Sequence, residues 1–388
     1  MDFTFTEEQQ AIRDSILKIC EKYDDDYWLA RDASGEFPVD FHREFADGGW
    51  LGIAMPEEYG GAGLGVVEAC IMMQAVAESG AAQSGASAIH LNIFGPNPIV
   101  IFGNEEQKKR FLPPLIKGEE KACFAVTEPD AGLETTALKS RAVLNGDHYV
   151  VNGKKVWTST AQIADRMLII LRTTPQEDCK KRTDGLTLFY TKLDRNAIDV
   201  REIEKMGRKC VDSNEMFIDN LKIPVEDRIG EEGRGFHYLL HGLNPERVLI
   251  GAEAVGIGKV ALARATQYAK DRVVFSRPIG QNQAIQHPLA ENWLELEAAN
   301  MMVFKAAAMY DAGLPCGAEA NGAKFLGARA GFNACQQAIL THGGYGYAKE
   351  FHVERFMRES MISRIAPVSE QMILNYIGEQ VLGLPRSY

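Results

Sequence analysis

At 388 residues, 46% of them hydrophobic and 24% charged, the chain is long enough for two or three domains built on a sizeable core. Its 42 Lys+Arg against 53 Asp+Glu leave a net charge of −11, which excludes the basic footprint of a nucleic-acid binder but not a small anionic ligand held by a few cations. No apolar run reaches the roughly 20 residues of a membrane span, the acidic start lacks the marks of a signal or transit peptide, and seven scattered cysteines without a C-x-x-C exclude a disulfide framework or a cysteine zinc site. A soluble protein with free thiols in a reducing cytoplasm is expected, with no metal site and no membrane insertion.

Residues 1–120 read as helical. Thr6-Glu7-Glu8-Gln9 is a capping-box pattern, followed by Ile12, Ile16, Ile19 and Cys20 on one helical face. Trp50 to Gly63 is a glycine-rich loop, and helices are predicted over 65–79 and 105–116. The small residues of 81–87 suit a helix packed closely on a neighbour.

Residues 121–234 change character. Tyr149-Val150-Val151, Asn152-Gly153 and the run from Lys154 to Trp157 predict a hairpin turning at Asn-Gly. Further strands are predicted over 167–171 and 186–190, so the middle reads as a small antiparallel sheet or barrel. Residues 235–388 return to long helices, predicted over 251–274, 289–312, 318–340 and 370–382. No G-x-G-x-x-G fingerprint supports a Rossmann domain.

Five segments are candidates for chemistry. Phe124 to Gly132 is a strand running into a Pro-Asp-Gly turn, suited to hydrogen-bonding a planar heterocycle or to simple turning. Trp157-Thr158-Ser159-Thr160 offers a stacking ring and a hydroxyl, or a Trp packed between domains. Asn244-Pro245-Glu246-Arg247 reads as N-cap, N1 and N2 of a long helix, making Glu246 either a dipole-stabilised structural carboxylate or a general base at a rigid helix start. Arg272, Phe275, Arg277, Pro278 and Gly280 form either a pyrophosphate-holding segment or a solvated basic face. His342 to Tyr347 is a glycine turn that lets backbone approach a ligand or merely links two helices.

Taken in order, 112–119, 123–132, 153–159, 272–283 and 342–358 resemble the acyl-CoA dehydrogenase family across essentially the whole chain. The resemblance implies an α+β fold, with a helical N-terminal domain, a β-barrel-like middle domain and a C-terminal four-helix bundle. It implies non-covalent FAD, bound partly across a subunit interface of a homotetramer. It sets the flavin ring against Phe124, Val126, Thr127, Trp157 and Ser159. The adenosine-diphosphate portion falls to Arg272, Phe275, Gln283, Gly343 and Gly344, and the C-terminal flavin contacts to Ser369 and Gln371.

In one branch of the family the base is a Glu in the C-terminal loop, where this chain has Pro367. A second branch, resembling the isovaleryl and long-chain enzymes, places it at the start of the long helix. Glu246 matches that position, with Leu243, Asn244 and Arg247 beside the substrate and Glu370 as the next candidate base. Leu133 and Leu340 depart from the polar residues that relatives use near the ligand, and Pro367 has no N–H to offer a thioester oxygen. The implied reaction is α,β-dehydrogenation of an acyl-CoA to a trans-2-enoyl-CoA, with electrons passed to an electron-transfer flavoprotein. The alternatives are an acyl-CoA oxidase or other flavoenzyme on the same fold, or a non-catalytic acyl-CoA or flavin-binding protein.

Overall fold

The computed structural model describes residues 4–387, so the first three residues of the acidic start and Tyr388 lie outside the described residues. The N-terminal helices are α1 (Glu7–Cys20), α2 (Asp25–Ser34), α3 (Val39–Asp47), α4 (Val66–Val76), α5 (Ala82–Phe94), α6 (Asn97–Phe102) and α7 (Glu105–Ile116). α1 starts as its sequence dictates: Thr6 Oγ1 accepts from the Gln9 N–H while the Gln9 side chain accepts from the Thr6 N–H. The helix expected over 65–79 ends early, in a π-turn over Ala77–Ala81 where Gly80 adopts φ 103°. α5 follows and is buried along nearly its whole length, which its small residues permit.

The middle is an eight-stranded sheet ordered β6-β7-β3-β2-β4-β5-β8, with β1 also on β4. Its strands are β1 (Ala122–Ala125), β2 (Arg141–Asn145), β3 (His148–Ser159), β4 (Arg166–Arg172), β5 (Leu186–Lys192), β6 (Ile198–Glu202), β7 (Ser213–Pro224) and β8 (Arg228–Ile229). Most pairs are antiparallel, as expected, but β1 runs parallel to β4. β4 is buried on both faces. Leu168 and Ile170 join a core with Phe111 and Leu112 of α7, whereas Met167, Ile169 and Leu171 join Tyr149 and Phe189 on the other side.

The predicted hairpin at Asn152-Gly153 is corrected. β3 runs unbroken through it, and the turn lies earlier, at Gly146 (φ 64°), between β2 and β3. Asn152 instead marks a register shift against β7, and a Cβ on Gly153 would overlap the Ser140 hydroxyl. The glycine therefore serves a bulge and a close approach, not a reversal.

The C-terminal third holds α8 (Gly235–Asp271), a short hairpin β9 (Val273–Val274) and β10 (Arg277–Pro278), α9 (Gln283–Asp311), α10 (Gly317–His342), α11 (Val353–Ile365) and α12 (Glu370–Tyr376). α11 was not anticipated from the sequence. The helix expected to reach residue 274 stops at Asp271, where the chain turns into the hairpin.

α8 and α10 meet at backbone distance. A Cβ on Gly327 would sit 2.7 Å from Gly251 O, one on Gly258 would sit 2.8 Å from Gly331 Cα, and one on Gly331 would overlap Ala254 O. One apolar core joins α1–α5 to α8–α10, so the first and last thirds pack as neighbours. All seven cysteines are unpaired. Among the described residues no helix is long and apolar enough to cross a membrane.

Candidate functional site

The helix carrying Glu246 does not begin where the sequence suggested. α8 starts at Gly235 and passes through Pro245, so Asn244 is not an N-cap and Glu246 lies three turns inside the helix. The upstream turns persist because Tyr238 and Leu239 are buried against the α7 and sheet core, and that burial outweighs the hydrogen bond Pro245 forfeits. The helix N-terminus therefore lends Glu246 no support, which removes the structural reading.

Glu246 is 7% exposed and its Oε2 has no hydrogen-bond partner. Burial pushes its pKa up to about 7, with His90 and Arg247 pulling it back and Glu253 adding to the rise. A carboxyl that is buried, unpartnered and half ionised near neutral pH has the properties of a general base. Glu370, the other candidate, is engaged elsewhere. Arg364 and Arg329 bind its two oxygens and, against burial, hold its pKa below the usual value.

The expected flavin-ring residues lie at the ends of two strands, β1 and β3. Phe124 on β1 and Val126 just past its end are partly buried against the Leu168–Leu188 face of the sheet, whereas Cys123 and Ala125 point into the core on the opposite face. The Val156 N–H donates to Thr127 O (2.9 Å), tying the end of β1 to β3. A second register shift of β3 against β7 falls between Lys155 and Thr158, and within it Trp157 takes φ 61°. The shift turns the Trp157 ring outward, 59% exposed, instead of into an interdomain core. A bulky residue held at positive φ beside a bulge is a device for aiming a side chain at a ligand.

Ser159 is met by Arg208, a residue with no local signal of function. The Arg208 guanidinium donates to Ser159 Oγ (3.1 Å), Ser213 Oγ (3.4 Å) and Ser87 Oγ of α5 (3.2 Å). Since Arg208 only donates, the Ser159 hydroxyl hydrogen is left to serve an acceptor such as a ring nitrogen. α5 continues along this wall. Phe94 packs edge-on to Phe124 (5.6 Å) and against His90 (4.7 Å), whose Nδ1 lies 2.5 Å from Glu253 Oε1 of α8.

The remaining expected residues fall into two groups. Leu243, Asn244 and Arg247 line α8 beside Glu246, and Arg247 Nη1 donates to Asn244 Oδ1 (3.0 Å) while its Nε stays unpartnered. Ser369 caps α12 through the Met372 N–H, next to an exposed Gln371, and buried Lys324 Nζ anchors the preceding loop through Val368 O (2.7 Å). The Arg272 set is carried by the other end of α8. Phe275 tips the β9–β10 hairpin, 95% exposed at φ 52°, Arg272 lies over the Tyr345 ring (5.6 Å), and Gly343, Gly344 and Gln283 are exposed around it.

Glu128, by contrast, is structural. Its carboxylate accepts from Lys155 Nζ and from the Lys139 and Ser140 N–H groups.

Sequence profiles of the acyl-CoA dehydrogenase N-terminal, middle and C-terminal domains match residues 6–119, 123–221 and 233–382. The chain belongs to the acyl-CoA dehydrogenase family. Acyl-CoA dehydrogenase fadE12 of Mycobacterium bovis is 36% identical over 100% of this chain and 99% of its own. The CarC subunit of the caffeyl-CoA reductase–Etf complex of Acetobacterium woodii is 32% identical over 95% of this chain and 96% of its own. Butyryl-CoA dehydrogenase of Megasphaera elsdenii superposes with a TM-score of 0.93 at 30% identity, covering 98% of this chain and 100% of that one. This acyl-CoA dehydrogenase is thus an FAD-dependent oxidoreductase. The exposed Trp157 ring and the Ser159 hydroxyl, with its hydrogen left to donate, are groups of the kind a flavin ring requires.

Proposed function

We propose that Glu246 removes the α proton of an acyl-CoA thioester while a hydride leaves Cβ, giving a trans-2-enoyl-CoA. The observation that carries this reading is a buried carboxyl with an unpartnered oxygen and a pKa of about 7, on a helix packed against α5, whose Phe94 touches Phe124. Bound FAD supplies the hydride acceptor. Trp157 and Phe124 would border the ring, Ser159 would donate to it, and the apolar surroundings of α5 and α8 exclude water. Arg247, with its free Nε, stands ready for a polar group of the substrate.

Arg272, the residue just past the end of α8, lies twenty-six residues beyond Glu246, about 39 Å along the axis. That exceeds the length of a flavin dinucleotide, so the Arg272, Phe275, Gln283, Gly343 and Gly344 set would serve the FAD of a second copy, as in a homotetramer. The Etf-linked relative supports an electron-transfer flavoprotein as acceptor. Six of the seven free cysteines are buried thiols, which supports a reducing, cytoplasmic setting.

The test is anaerobic. The yellow holoprotein should be bleached by members of an acyl-CoA panel, and Glu246→Gln should keep its FAD yet fail to bleach. Bleaching by that variant at the wild-type rate would refute the base assignment. Peroxide release in air without an added acceptor would favour the oxidase reading.

A further inference from the structure

Glu246 and Glu253 lie seven residues apart on α8, hence on one face, about 10 Å apart along the axis. Both are buried, and each has an oxygen without a hydrogen-bond partner. A second buried anion this close to a base that must ionise would work against it, unless a cation intervenes. His90 of α5 supplies one: its imidazole meets Glu253 at 2.5 Å, with the Glu253 side chain fully buried and that of His90 10% exposed.

We propose that His90, held as a cation by Glu253, is the positioning residue that keeps Glu246 able to ionise. The proposal rests on Glu246 being the base.

The charges around Glu246 come from three sides. From α5 comes His90, from α8 come Arg247 and Glu253, and Arg208 in turn faces His90 and Glu253. Behind Arg247 stand Tyr376 and Lys324. Burial is the largest single influence on His90 and lowers its pKa, but the charge and hydrogen bond of Glu253, with the charge of Glu246, together turn the shift upward. Of the charges bearing on Glu246, that of His90 is the largest and favours the ionised form. With Glu246 ionised, the buried set His90, Arg208, Glu246 and Glu253 holds two cations and two anions. Removing His90 leaves Arg208 to balance two carboxylates, and Glu246 should hold its proton more tightly. The ring is fixed in place by Phe94, which also touches Phe124, so the cation is tied to the wall where the reacting carbons lie.

The test compares His90→Gln with the His90→Gln/Glu253→Gln double variant, which buries two neutral amides and no unpaired charge. The rate of anaerobic flavin reduction by acyl-CoA is followed from pH 5.5 to 9. His90→Gln should raise the pH midpoint by about one unit, seen as a roughly tenfold loss of rate below neutral pH that is recovered at alkaline pH. The double variant should show a smaller upward shift. Infrared titration of the protonated Glu246 carboxyl band, identified by its loss in Glu246→Gln, should show the same shifts without substrate. A uniform loss of rate at every pH, with midpoint and infrared titration unmoved in both variants, would overturn the proposal. If Glu246→Gln is inactive while that happens, only the role of His90 falls. If Glu246→Gln is active, the base assignment falls.

Discussion

Replacing Glu246 by Gln should shift stability in the variant's favour as pH rises, and the size of the shift follows from burial. The Glu246 pKa rises from 4.5, its ordinary value, to about 7 in the folded chain. Between these values the native state holds a proton that the unfolded state has released, so stability falls as pH rises through that window. At pH 5 the group opposes folding by about 0.8 kcal/mol and at pH 8 by about 3.3 kcal/mol, a difference of about 2.5 kcal/mol. Glu246→Gln does not titrate. Any fixed penalty for burying its amide is present at both pH values and cancels in the comparison. With about 0.8 kcal/mol per degree for a chain of this length, the gap between variant and wild-type melting temperatures should move by roughly 3 °C in the variant's favour between pH 5 and pH 8. Scanning fluorimetry of both FAD-loaded proteins at the two pH values measures it. A gap that is the same at both, or one that moves against the variant, would show that Glu246 is not a buried acid with a raised pKa.

Other outcomes follow from the same geometry. The rate of flavin reduction in the unaltered enzyme should climb with pH through a midpoint near 7 and then level off, because only ionised Glu246 accepts a proton; stopped-flow absorbance across buffers checks this. Ser159→Ala should leave the fold intact but weaken FAD binding about fivefold, the loss of one hydrogen bond worth about 1 kcal/mol, read by fluorescence titration. Lys155→Met leaves Glu128 as an uncompensated buried carboxylate and should lower stability by about 3–5 kcal/mol in urea, with much of the loss recovered by adding Glu128→Gln. Gly331→Ala places a methyl against Ala254 O and should lower stability by at least about 1–3 kcal/mol in the same assay.

What could be read in advance was whatever local chemistry determines. The Thr6 capping box, the helix over 105–116 and the apolar runs of β4 and β5 follow from caps and periodicity within a few residues. Asn152-Gly153 misled because the same dipeptide serves a turn or a bulge, and the choice depended on Ser140, a residue from another segment. Asn244-Pro245 misled because a good helix start is overridden when the preceding turns bury Tyr238 and Leu239. Phe124 to Gly132 and Trp157 to Thr160 stand out locally as candidate segments, but each has an equally ordinary structural use, and only the resemblance assigns them to a flavin ring. His90 and Glu253, 163 positions apart, meet through the packing of α5 on α8 and leave no local pattern to find. Arg208 was hidden for the same reason. Its three hydroxyl partners come from α5, β3 and β7.

The glycine-lined crossing of α8 and α10 bears on how such an enzyme diversifies. With Gly251 and Gly258 against Gly327 and Gly331, the two backbones are interlocked, and α8 cannot slide or rotate to admit a different acyl group. The face of α8 that carries Glu246 is therefore held in place as a unit. Side chains on α5 and on the loop that Lys324 fastens at Val368 are the ones free to change without moving Glu246.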